Sequence, residues 1–124
     1  FGREIKVWMN AYVVLGETRE DAQRQWDHCV LEHGDGVAAD NFLNGMGLDS
    51  QSLPPDVLAT IKADMIAGYG GFRLLGTKQQ IVDDMRMLSD AGIDGMLLTW
   101  PAFVTGMAEF QQEIYPLLVQ EGLR

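Results

Sequence analysis

The chain has 124 residues, 47% of them hydrophobic and 22% charged, the balance of one soluble domain with a modest core. Nine Lys and Arg side chains against 18 Asp and Glu give a formal charge of −9 and a pI near 4.4, and the basic residues are scattered singly, which argues against a nucleic-acid partner. No run approaches the ~20 apolar residues of a membrane-spanning helix, so no membrane partner is expected. The start FGREIKVW lacks the pattern of a secretory leader, and the single Cys29 has no partner for an intrachain disulfide. A cytoplasmic location is the expectation, and Phe at position 1 suggests a processed or partial product.

The first element is Ile5 to Leu15, an apolar run that reads as a strand buried on both faces, with Lys6 and Asn10 as polar interruptions. Thr18 with Asp21 forms an acidic variant of a capping box and opens a helix of about 15 residues, whose apolar stripe is Ala22, Trp26, Cys29 and Val30. His28 and His33 flank that stripe. On an α-helix positions five apart diverge by about 140°, so the spacing does not predict zinc, and no metal is expected.

Glycines punctuate residues 34–47, where a short helix around Val37 to Leu43 fits, and Ser50 to Pro55 reads as a loop. Pro55 begins a helix to about Ala67, with Val57, Leu58, Ile61, Met65 and Ile66 at helical period. Gly68-Tyr69-Gly70-Gly71 leads into a short strand, Phe72 to Leu75, stopped by Gly76. The glycine run lacks the spacing of a dinucleotide-binding loop, and a strand follows it where that motif requires a helix. Thr77 and Gln80 make a capping box for a helix closed by Gly92, with Ile81, Met85 and Leu88 inward. Ile93 to Trp100 is a third strand, ended by Pro101. A last helix carries Phe103, Met107, Phe110, Ile114, Leu117 and Leu118, kinked or restarted at Pro116. The alternation predicts an α/β fold with parallel strands and crossover helices.

Three junctions carry a resemblance. Gly76-Thr77-Lys78-Gln79-Gln80-Ile81-Val82, then Asp90-Ala91-Gly92-Ile93-Asp94-Gly95, then Pro116-Leu117-Leu118 resemble the ending of luciferase-like flavin monooxygenases. Leu98-Thr99-Trp100-Pro101-Ala102-Phe103, with Gly106 and Phe110, is most similar to the pyrimidine and dimethyl sulfone monooxygenase branch. Gly16-Glu17-Thr18 and the helix bearing Trp26 also resemble that branch. The likeness spans the whole chain. It implies that residues 1–124 form the C-terminal part of one luciferase-like domain: the last three strand–helix units of a (β/α)8 TIM-type barrel, with extra helices between the first and second strands. It also implies reduced FMN from a separate flavin reductase, and insertion of one oxygen atom of O2 into a small organic substrate.

On that reading the segment is incomplete and inactive alone, and it associates with the rest of the barrel or with copies of itself. The flavin-phosphate contacts of these enzymes lie mainly on earlier strands. Cofactor contacts are expected from Trp100, Gly70, Gly71 and Arg73, and substrate contacts from Asn10, Tyr12, Tyr69 and Thr99. Alkanesulfonate monooxygenases hold Arg and His where Asn10 and Tyr12 stand here, which favours a neutral polar substrate. Packing explains Tyr12 and Trp100 as simply, and Trp26 better than a ligand-stacking role; a surface ion pair explains Arg73. Two other readings fit the pattern: a non-catalytic module that self-associates, and a deazaflavin-dependent oxidoreductase of the same superfamily.

Overall fold

A computed structural model of the protein describes residues 2–48 and 51–123; Phe1 and the first residue of the expected Ser50–Pro55 loop lie outside them. The chain forms β1 (Trp8–Leu15), α1 (Arg19–Asp27), α2 (Gly36–Gly45), α3 (Pro55–Gly68), β2 (Phe72–Gly76), α4 (Lys78–Asp90), β3 (Gly95–Thr99), α5 (Phe103–Glu109) and α6 (Tyr115–Gln120). Two π-helical turns are inserted, His28–Glu32 after α1 and Phe110–Ile114 between α5 and α6.

The expected parallel α/β arrangement is present, but its order is β2-β1-β3. Three consecutive barrel units would pair in chain order with all helices on one side, and this sheet does neither. The longest and most apolar strand, β1, is central. Its second half pairs with β2, from Ala11 opposite Phe72 to Leu15 opposite Gly76. Its first half pairs with β3, from Trp8 opposite Gly95 to Tyr12 opposite Thr99. A chain that steps to one side of β1 and then back across it covers both faces if both crossovers are right-handed. Two cores result. Tyr12, Val14 and Leu75 meet Ala22, Trp26, Val30, Ala63 and Ala67, from the segments between β1 and β2. Ala11, Val13 and Leu74 meet Ile81, Val82, Met85, Ile114 and Leu118, from α4 and the C-terminal helices.

The junction motifs have local physical causes. Thr77 accepts from the Gln80 amide while the Gln80 side chain accepts from the Thr77 amide at 3.0 Å, a complete capping box. Gly76 sits at φ +146, where a Cβ would fall 2.4 Å from the Gln80 side-chain oxygen, so only glycine joins this strand to this cap. Gly92, at φ +96, follows Ala91, the C-cap of α4, and lets Ile93 donate back to the Leu88 carbonyl at 3.0 Å.

Asp94 ties the start of β3 to the segment entering β1. Its carboxylate accepts from the Val7 amide at 2.8 Å and from Lys6 at 3.2 Å, and those bonds hold its pKa below the ordinary carboxylate value. Lys6 therefore lies outside the strand, which begins three residues later than its apolar run suggests. Gly95 lies under the Trp8 indole, where a Cβ would come within 2.7 Å of the ring. The Gly-Ile-Asp-Gly stretch is thus a clamp that aligns β3 on β1.

Candidate functional site

In parallel α/β sheets ligands lie beyond the carboxyl ends of the strands, at the point where the strand order reverses. Here that point is between β1 and β3. Because β3 stops opposite Tyr12, Val13 to Leu15 extend past it, and the turn after β3 folds over the uncovered part of β1. A crevice of about 300 Å³ opens there, walled by Val13, Leu15, Trp100, Gly106, Phe110 and Ile114, with Gln25, His28 and Cys29 on the α1 side.

Trp100 forms the back of the crevice. Its ring meets Phe103 edge-on at 5.5 Å and Phe110 at 5.8 Å. Gly106 permits this, since a Cβ there would lie 2.7 Å from the indole. The Trp100 indole nitrogen is buried and has no hydrogen-bond acceptor. The Trp26 indole nitrogen in the other core is buried without a partner in the same way, so Trp100 meets the crevice through its ring rather than its N–H. The volume is at the lower end of small-molecule sites. Its aromatic walls suit a flat ring such as isoalloxazine. Among the described residues no lysine or arginine lines the crevice, so a flavin phosphate finds no counter-charge from them there. The ring fits and the phosphate does not.

The residues expected to share one working face are divided between two. Asn10, Tyr69 and Thr99 meet in a second, more open cleft of about 350 Å³ with Met65, Ile66 and Gly68, on the α3 side of the sheet. Trp100 follows Thr99 and points to the opposite side, as strand alternation requires. Tyr12 is not a pocket group. It is 3% exposed, packs in the core beside Trp26, and closes the floor under Gly68, where an added Cβ would sit 2.7 Å from its ring. Burial, with the nearby Cys29 as a smaller cause, pushes its phenol up to about 12.

The glycine-rich segment is also displaced from its expected place. Gly70 and Gly71 enter β2 and therefore lie at that strand's amino end, away from the Trp100 crevice. Gly71 permits close backbone approach, with Asn10 and Ala11 backbone atoms 3.3 Å from where a Cβ would stand. Tyr69 ends α3 in the left-handed region at φ 61 and packs edge-on against Phe42 at 5.1 Å. Arg73, expected at the cofactor, is committed elsewhere. Its guanidinium pairs with Asp64 at 2.5 Å and lies 4.2 Å from the Trp26 ring centre. Trp26 is accordingly a core residue and the platform for Arg73.

One feature escaped sequence reasoning altogether. His28 and His33, assigned to diverging directions on an α-helix, meet edge-on with ring centres 4.4 Å apart. The segment between them is a π turn, closed by the His33 amide donating to the His28 carbonyl at 3.1 Å. A turn that closes one residue late brings positions five apart over one another. Gly34, directly after it, would place a Cβ 2.2 Å from the Val30 carbonyl oxygen and 2.5 Å from Ile66, so glycine is required for this turn to end against α3. That glycine was the available signal.

No family model matches the chain. It is 26% identical over 125 residues to pyrimidine monooxygenase RutA of Variovorax paradoxus (strain S110), a match that takes in 94% of this chain and 32% of that protein. Among solved structures it is similar to riboflavin lyase RcaE, determined with modified FMN and substrate riboflavin. That match has TM-score 0.66 and 19% identity, covering 94% of this chain and 31% of the other. The chain thus spans about a third of the length of each. The first comparison supports the resemblance to luciferase-like flavin monooxygenases carried by the Gly76, Gly92 and Pro116 junctions, and the second supports the fold.

Proposed function

We propose that this chain is one structural part of a reduced-FMN-dependent monooxygenase that works with a separate flavin reductase and oxidises a small, neutral, polar substrate. The observation that carries the reading is the Trp100 crevice, with its aromatic walls at the carboxyl side of the sheet. Reduced FMN, when bound, supplies the activation of O2. This chain's residues wall the ring with the Trp100 indole and exclude water through Phe103, Phe110 and Ile114. The phosphate would be held by residues beyond residues 1–124.

The sheet supports completion from outside. Both β2 and β3 are edge strands, which a fold normally pairs or covers. Leu97 on the β3 edge and Trp8, whose ring lies over Gly95 of β3, are 59% and 60% exposed. Association of this surface with copies of the same chain is the second reading, favoured by that same apolar edge. Equilibrium sedimentation separates the two: a monomer that assembles only with the missing part supports the first, and a stable homo-oligomer supports the second.

Fluorescence titration of the 124-residue chain with oxidised FMN and with riboflavin tests the crevice. The expected result is weak binding, equal for the two ligands within about twofold because the phosphate meets no cation, and lost in Trp100→Ala. Tight stoichiometric binding that prefers FMN would overturn the assignment.

A further inference from the structure

We propose that His28, Glu32 and His33 form a binding site for a divalent transition-metal ion of borderline character, the class that includes zinc. Their potential ligand atoms lie within 4.8 Å of one another, and among the described residues no other trio of His, Cys, Asp and Glu side chains meets that closely. His28 Nδ1 and a Glu32 carboxylate oxygen are already 2.9 Å apart. Metal–ligand bonds of about 2.0–2.1 Å place neighbouring ligands of a tetrahedral ion roughly 3.4 Å apart. Side-chain rotation alone closes the remaining gap, because all three residues are exposed and the backbone already brings them together.

The π turn is what makes the site. The hydrogen bond that defines it joins the two histidines themselves, from the His33 amide to the His28 carbonyl. The next residue is the glycine that lets the turn end against Val30 and Ile66. Inserted π turns of this kind are rare and concentrate at functional sites. An α-helix through the same residues would leave Glu32 beside His28 but carry His33 away.

Two imidazole nitrogens and one carboxylate oxygen suit zinc, nickel or cobalt, whereas magnesium and calcium prefer all-oxygen shells. Cys29 packs at the margin of the core around Trp26 and is not part of the set. Three protein ligands leave coordination positions open. His28 also lines the Trp100 crevice, so the ion would stand at the mouth of that crevice with room for a water or a ligand carboxylate or carbonyl.

The test is calorimetric titration of the chelator-stripped chain with zinc alone and with magnesium alone. Expected are one zinc per chain with micromolar affinity and no magnesium binding. His33→Gln and Glu32→Gln should each weaken zinc binding roughly tenfold or more. Because these side chains are exposed, both variants should melt with the parent chain, which excludes misfolding as the cause. Cobalt titration gives an independent readout: a visible ligand-field absorption in the parent chain that is lost in His33→Gln. Absence of saturable zinc binding, or variants that bind zinc as the parent does, would overturn the site.

Discussion

The two π turns flank one crevice and could hardly differ more in what they carry. His28–Glu32 turns its polar side chains to solvent and buries only Val30, while Phe110–Ile114 packs Ile114 completely into the core between the sheet and α4. Their causes differ as well. Pro116 has no amide hydrogen to give the Gln112 carbonyl, and its ring crowds that carbonyl, so the helix closes late through the Tyr115 amide and the Phe110 carbonyl. No proline accompanies the first turn; Gly34 and its contact with α3 accommodate it instead. One backbone irregularity thus completes a core at one place and gathers ligand-type side chains at the other.

Four substitutions or conditions would break or sharpen that contrast. The largest effect is expected from Ile114→Ala, which empties a fully buried position and should cost about 2–5 kcal/mol in urea unfolding. A loss below 1 kcal/mol would mean the second turn is not anchored by packing. Gly34→Ala comes next, at about 1–3 kcal/mol, since the new methyl meets backbone and the Ile66 side chain. It should also separate His28 from His33 and abolish zinc binding. Retention of both stability and zinc affinity would remove Gly34 from the account.

The third test is alkaline. The Tyr12 phenol lies in the core that Val30 of the first turn joins, and its folded pKa is raised from 10.0 to about 12. A raised acid favours the neutral form in the fold. Its contribution is complete below pH 10 and lost as pH rises through 12, about 3 kcal/mol at most. Urea midpoints across that window should fall more for the parent than for Tyr12→Phe; equal slopes would count against burial of the phenol. The smallest effect belongs to Glu32→Gln, expected within about 0.5 kcal/mol of the parent in stability.

How far the sequence was legible depended on the range of the forces involved. Thr18, Thr77, Gly76, Gly92 and Pro116 act within a few residues, through caps, left-handed backbone or a missing donor, and each stands where the sequence places it. Asp94 and Gly95 were visible as a motif, but their task, clamping the entrance of β3 to Val7 and Trp8, requires partners some 87 positions away in the chain. The residues expected at the site are brought together only in part. Asn10, Tyr69 and Thr99 do converge in one cleft, while Trp100 faces the opposite core and Arg73 is held by Asp64 and Trp26.

Taken alone, the order of residues determined the α/β alternation, the helix boundaries and the parallel strands, because periodicity and capping are local properties of the chain. Tertiary structure alone decided that β1 is central, with one half for each neighbour, and that the uncovered carboxyl end of β1 becomes a crevice. It alone decided that two histidines five positions apart meet. Those outcomes depend on which faces are buried together and on where a helix must break its register to fit its neighbour, and neither is encoded in any short stretch of sequence.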